Sequence, residues 1–365
     1  MKLIVVGAGI VGLSCARAAL LCGHQVTIVE QGPIPHPQGA SFDHHRLIRY
    51  QYGDAIGYTR MVDQAFQAWE RVWDDLGVTH FHRTGTLGVS TRPGDYTDRS
   101  ASTFERIDIP HERLRAAEIE ALCPQLSLPE GAWGLLNHDG GVLFADRIVT
   151  GLAEWVLARG ANCREHRRVD AVDEASATVI LEGGETLQGD ALVIAAGAWL
   201  PTLLPRFAAM PTYRQAVCYV DPPAEDMPHW QTGPCLTDLG EGDNYALMPV
   251  GGTGLKFGSG AHRRAAKPSD GFAASVEEGH EVIAHFRPYL RNAERYRPVR
   301  MAVGYYVMDG TGHFHVTQSG KAAVVTNCDG QMFKFGPLIG ERTVEVLAGR
   351  ADATDLRRWA SGQAS

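Results

Sequence analysis

Three glycines spaced as Gly7-x-Gly9-x-x-Gly12, followed further along by a lone acid, Glu30, are the parts of a dinucleotide site. The first glycine permits the tight turn, the second lets backbone approach a pyrophosphate, and the third lets a helix pack on a strand. The pyrophosphate then meets the positive end of that helix, through backbone at Ile10 and Val11. Glu30 can accept hydrogen bonds from ribose hydroxyls and would repel a 2′-phosphate, which disfavours NADP. The elements that must hold these groups occur in order. Leu3 to Val6 reads as a strand, Leu13 to Cys22 as a helix closed by Gly23, and Gln25 to Val29 as a second strand with Glu30 at its tip. A secretory signal would need an unbroken apolar core and a cleavage site, and the three glycines interrupt this one. No run of about 18 apolar residues follows anywhere, so no membrane-spanning helix is expected.

A Pro- and Gly-rich loop from Gly32 to Gly39 then delivers a polar cluster: Ser41, Asp43, His44, His45, Arg46 and Arg49. Two histidine pairs, His80 with His82 and His313 with His315, would each share a strand face, yet neither has a third ligand nearby, so no metal is expected. Seven scattered cysteines without CxxC spacing suit reduced thiols and a cytoplasmic protein. A net charge of −8 without a basic block argues against nucleic acid.

At 365 residues, 44% of them hydrophobic, the chain is expected to form two intimately joined domains. Helical periodicity runs from Tyr58 to Leu76 and from Asp146 to Arg159, the latter ending at Gly160. Strands are expected at Thr84 to Val89, from Cys163 to Val172, and at Thr178 to Leu181, where Gly183-Gly184 marks a hairpin turn. An apolar strand from Asp190 ends in small residues, Ala195-Ala196-Gly197-Ala198, before Trp199, which would let backbone lie against a cofactor. Alternating strands dominate from Met210 to Met308, interrupted by a helix near Ser275 to Phe286. The chain then returns to a strand, Ala322 to Thr326, and a helix from Gly336 to Ala348. Only one glycine fingerprint is present, so the nucleotide is either NAD, or FAD with electrons leaving by another route.

Further segments resolve that choice through a resemblance. With Gly7 to Gly12, the blocks Gly39 to Tyr52, Gly141 to Phe144, Gly197 to Trp199, Tyr213 to Gln215, Leu255 to Gly258 and Phe333 to Phe335 resemble the D-amino-acid-oxidase-like FAD oxidoreductases. Within them the chain is most similar to monomeric sarcosine oxidase and the N-methyl amino acid oxidases. The resemblance implies an α/β fold: a discontinuous Rossmann-like FAD-binding domain (1–83, 141–209 and 310–365) and a mixed-sheet α+β substrate domain (84–140 and 210–309). Besides the glycines and Glu30, it implies FAD contacts from Gln31, His45, Arg46, Val169, Ala196, Gly197, Trp199, Gly330, Gln331 and Lys334.

The same resemblance implies that Arg49 and Lys334 hold a substrate carboxylate and that Lys256 promotes reaction of the reduced flavin with oxygen. Guanidinium and ammonium suit a carboxylate, and a fixed positive charge suits a developing superoxide. Tyr245 and Tyr306 match pocket tyrosines. Three departures reshape the expectation. The cysteine that tethers FAD in the sarcosine oxidases falls at Gly304, which implies a noncovalent flavin. The histidine after the oxygen-site lysine falls at Gly260, with His262 two residues on, and a large Met332 stands where glycine is common. The expected activity is oxidation of a small amino acid or N-substituted amino acid to an imine, with oxygen as acceptor and hydrogen peroxide as product. The alternatives are a dehydrogenase of the same fold passing electrons to a quinone or protein, an NAD-dependent dehydrogenase, and a non-catalytic protein that keeps FAD for structure.

Overall fold

The computed structural model describes residues 1–240 and 242–363. Glu241 of the expected substrate domain and the last two residues of the expected FAD-binding domain therefore lie outside the described residues. The strand Lys2–Val6 sits at the centre of a six-stranded sheet in the order His315–Ser319, Ala322–Thr326, Ala191–Ile194, Lys2–Val6, Gln25–Val29, Asn162–Arg164. Its pairings are parallel except at the His315–Ser319 edge. Parallel central strands are buried on both faces, which is why Leu3 to Val6 is continuously apolar rather than alternating. Leu3 and Val5 pack with the helices Ile10–Leu21 and Gly336–Leu347, whereas Ile4 and Val6 pack with Val179 and Leu181 of a small antiparallel sheet on the other face.

The second large sheet is nine-stranded and mixed. Thr212–Asp221 pairs along its length with Arg297–Val307 on one side and with Leu255–Ser259 on the other. Between the two large sheets lies a three-stranded sheet, Arg46–Ile48, Gly141–Leu143 and Phe81–Arg83, which fixes the start of the segment carrying Arg46 and Arg49.

Several expected bounds shift by a few residues. The first helix starts at Ile10 rather than Leu13, because Gly9 is already its N-cap. The stretch Cys163 to Val172 is two strands, Asn162–Arg164 and Val169–Asp173, in different sheets. The helices Tyr96–Arg106, Ala116–Leu122 and Ala353–Ala360 lie in stretches to which the sequence reading gave no helix. Among the described residues no helix is long and apolar enough to cross a membrane, and no three His, Cys, Asp or Glu side chains gather as metal ligands. All seven cysteines are free.

Candidate active site

The turn after the first strand is built on steric necessity. Gly7 has φ +98°, and a Cβ there would stand 2.4 Å from the Ala195 carbonyl oxygen. A Cβ on Gly12 would stand 1.9 Å from the Gly7 carbonyl oxygen, so the helix leans on the strand with no room for a side chain. Glu30 is buried at the tip of the second strand, where its two oxygens accept from the Ala8 amide at 2.9 Å and the Gly32 amide at 3.2 Å. A carboxylate has about four acceptor sites, so both ribose hydroxyls can still be served. At the helix N-terminus the Ser41 hydroxyl accepts from the Ile10 amide at 2.9 Å.

This turn opens into one cavity of about 1360 Å³ that continues to the nine-stranded sheet. That exceeds the roughly 300–1000 Å³ of an ordinary small-ligand pocket and leaves room for a dinucleotide beside a second small molecule. Gly7, Gly9, Ile10, Val11, Glu30, Gln31, Arg46 and Val169 line it, with Ala196, Gly197 and Trp199. Arg49, Tyr245, Lys256, Tyr306, Gly330, Gln331, Met332 and Lys334 line it as well. Two expected contacts differ. Gly12 lies behind the wall, where it serves packing. His45 is fully buried with its ring on Tyr219 and its Nε2 3.2 Å from the Gly254 carbonyl, so its imidazole does not reach the cavity. His262 is likewise turned away, its Nε2 3.2 Å from Glu278, which also pairs with Arg214.

The two cations expected to grip a carboxylate converge on one ring. The Arg49 guanidinium lies 4.8 Å and the Lys334 ammonium 5.5 Å from the centroid of Tyr52. Arg49 is steadied by Tyr96, whose hydroxyl accepts from it at 3.1 Å and donates to the Gln51 carbonyl at 3.0 Å. Among the described residues Lys334 donates to the Gln331 carbonyl alone, at 3.2 Å. Neither cation has a carboxylate within salt-bridge distance among the described residues, although Lys334 is only 5% exposed. Burial, with Arg49 nearby, holds the Lys334 ammonium well below the usual lysine range. The buried Tyr52 hydroxyl has no hydrogen-bond partner among the described residues. Two cations without a salt-bridged carboxylate among the described residues, beside a hydroxyl without a partner, form a place an anion would satisfy.

Asp243 and Asp329 line the same cavity, near enough to the clamp for their charges to act on it. Enclosure by protein pushes the Asp243 carboxyl up against the pull of Arg49, Arg263 and Lys334, and burial raises Asp329 to about 6. The sequence reading missed Tyr52 and Tyr96 as supports of Arg49, and it missed Asp243 and Arg263. Tyr52 closes a block that the resemblance already marked, but Tyr96 lies on a helix to which the sequence reading gave no element.

The cradle fits a dinucleotide on these observations, and solved structures share its architecture. NikD, an unusual amino acid oxidase, superposes with a TM-score of 0.83 at 20% identity over 98% of this chain and 96% of its own. L-proline dehydrogenase from P. horikoshii superposes with a TM-score of 0.82 at 18% identity over 99% and 96%. In sequence, N-methyl-L-tryptophan oxidase of Salmonella heidelberg (strain SL476) is 26% identical over 97% of this chain and 96% of its own. Peroxisomal sarcosine oxidase of Homo sapiens is 30% identical over 59% of this chain and 56% of its own length. The family model FAD dependent oxidoreductase matches residues 2–346, and the chain belongs to that family.

Proposed function

We propose that the protein oxidises a small amino acid or N-substituted amino acid, with oxygen as the electron acceptor and an imine and hydrogen peroxide as products. The observation that carries this reading is the pair of cations, Arg49 and Lys334, with no carboxylate at salt-bridge distance among the described residues, on the wall of a cavity continuous with the glycine turn. In it, FAD is held without a covalent bond by residues 1–83, 141–209 and 310–365, and the substrate by 84–140 and 210–309. Backbone from Gly7 to Val11 takes the pyrophosphate and Glu30 the ribose, while Gln31, Arg46, Val169, Ala196, Gly197, Trp199, Gly330 and Gln331 complete the cradle. FAD supplies the acceptor for the hydride leaving the carbon beside the substrate nitrogen.

The chain's own residues bind and orient. Arg49 presents a planar fork to a carboxylate, Lys334 adds a point charge, and Tyr52 offers its free hydroxyl. Anchoring the carboxylate fixes the direction of one C–H bond, and hydride transfer depends on that alignment. Tyr245, Tyr306 and Met332 enclose the remainder of the substrate. Arg49, Arg263 and Lys334 favour the neutral amine over the ammonium, so no dedicated base is required.

Proton uptake tests the clamp. In the free protein Lys334 is inclined to lose its proton, and an arriving carboxylate favours the ammonium. Propionate binding is therefore expected to take up protons, with affinity falling as pH rises through the free protein's Lys334 value. Calorimetry in buffers of different ionisation enthalpy reads the uptake, and Lys334→Met should abolish it. Binding without uptake in the wild type would remove Lys334 from the anion site.

The activity is tested by anaerobic bleaching of the bound flavin with primary, N-methyl and cyclic amino acids, followed by oxygen. Bleaching by at least one class and rapid recovery in air are expected, and acid precipitation should release the flavin into solution. Bleaching with sluggish recovery would favour the dehydrogenase. No bleaching by any carboxylate-bearing amine would defeat the proposal.

A further inference from the structure

Away from the carboxylate clamp, a second polar cluster lies at the cavity wall where Lys256 stands. Asp43 is its hub. Its Oδ2 accepts from Lys256 Nζ at 3.0 Å and from Arg46 Nη1 at 3.0 Å. Its Oδ1 accepts from the Tyr219 hydroxyl at 2.7 Å and from Arg300 Nη2 at 2.9 Å. Lys256 Nζ also donates to the His45 carbonyl at 2.5 Å. The lysine and the aspartate are both almost fully buried.

The charges around Lys256 do not balance. Arg46, from the strand Arg46–Ile48, and Arg300, from Arg297–Val307, both favour loss of its proton, as does burial. Tyr219, from Thr212–Asp221, stays a neutral phenol, because burial and the neighbouring Asp43 charge push it up. His45 stays neutral, because burial and Lys256 push it down. Among the described residues, Asp43 is the single carboxylate within ion-pair distance of Lys256. It is itself held ionised against burial by Lys256 and Arg46.

We propose that Asp43 is the positioning residue that keeps Lys256 charged and aimed, and so sets how readily the reduced cofactor meets oxygen. The inference rests on the proposed assignment of Lys256 to the oxygen site. It does not depend on which amine is the substrate. With the network intact, Lys256 gives up its proton at about 8, burial being the largest cause. Removing Asp43 deletes the one carboxylate opposing that loss, so the lysine should become neutral at lower pH.

The test uses holoenzyme reduced anaerobically with dithionite, which needs no substrate, and then mixed with oxygenated buffer across a pH series. The wild-type reoxidation rate is expected to fall as pH rises through about 8. Asp43→Asn should move that fall at least about one pH unit lower, making reoxidation roughly threefold slower midway between the two midpoints and approaching about tenfold slower above both. Asp43→Glu should return most of the shift, and Lys256→Met should be slow at every pH. A second readout is independent of turnover. The absorption spectrum of the bound oxidised flavin should titrate with Lys256 in the wild type, at lower pH in Asp43→Asn, and not at all in Lys256→Met. Tyr219→Phe frees Asp43 from one donor and should move the midpoint upward, so the inference stays testable even where Asp43→Asn folds poorly. A midpoint unmoved in both Asp43→Asn and Tyr219→Phe, or one that survives Lys256→Met, would overturn it. These shifts in a protein that no amino acid bleaches would defeat the substrate proposal alone. Bleaching by an amino acid with an immobile midpoint would defeat this inference alone.

Discussion

Arg49→Ala is expected to lower kcat/KM for carboxylate-bearing amines by about a hundredfold or more. Truncating one partner of a buried charge pair costs about 2–5 kcal/mol, and each 1.4 kcal/mol is about tenfold. The cost is large here because the neighbours of Arg49 on the Tyr52 ring replace a planar fork poorly. Lys334 offers one point charge from a ring already shared with Arg49, and Tyr52 offers a neutral hydroxyl. Because the carboxylate is held equally before and during hydride transfer, most of the loss should fall on KM. A smaller share should fall on kcat through lost alignment of the C–H bond. Decarboxylated amines supply the control. The wild type should discriminate strongly against them, and the variant should not. Arg49→Lys should recover only part of the activity, since an ammonium cannot keep both the fork geometry and the Tyr96 contact. Flavin content should be unchanged throughout. Steady-state kinetics on matched acid and amine pairs reads the effect, and an unaltered ratio would remove Arg49 from the clamp.

Local signals on consecutive residues were legible in the sequence. The Leu3 to Val6 run, the three glycines and the tip acid Glu30 each follow from a short-range rule, and each occupies the place that rule requires. The long apolar strand and its small-residue end were also readable, because burial on both faces leaves no alternation to misjudge. The contacts of the charged side chains were not legible. Asp43 and Lys256 are 213 residues apart, and Arg300 reaches the same carboxylate from another strand still, so no spacing rule joins them. Resemblance brought Lys256 forward but gave no reason to look at its partner. His45 shows the converse failure. Its neighbours Arg46 and Arg49 face the cavity, but its own ring turns onto Tyr219, and sequence position alone does not fix that rotation. Tyr96 escaped notice because its helix is mostly polar and starts from Asp95, whose cap on the Asp98 amide is a signal that was available but unused.

The glycine turn carries the second large effect, on cofactor retention rather than on catalysis. Gly7→Ala meets two obstacles at once. At φ +98° the backbone lies where L side chains rarely go, and the new Cβ would sit 2.4 Å from the Ala195 carbonyl oxygen, a backbone atom that no side-chain rotation can move. Backbone strain of this kind costs about 1–3 kcal/mol, and forcing an atom into a packed interior costs about 1–3 more. Relief requires the central strand and the strand Ala191–Ile194 to separate where they end, and Gly7 also donates its amide to the Val29 carbonyl at 2.9 Å. Moving that junction displaces the N-terminus of the first helix and the Ala8 amide that Glu30 holds, so the pyrophosphate and ribose contacts proposed above should be lost together. The variant is expected to purify colourless or nearly so, with a clearly lowered melting midpoint. Gly23→Ala separates the two obstacles. Its φ of +73° carries the backbone strain, yet a Cβ there meets nothing within 4 Å. That control should lose only about 1–2 kcal/mol and keep its full complement of flavin. The ratio of flavin to protein absorbance, measured beside thermal melts, distinguishes them. A Gly7→Ala protein as yellow as the wild type would mean that the cofactor does not lie on this turn.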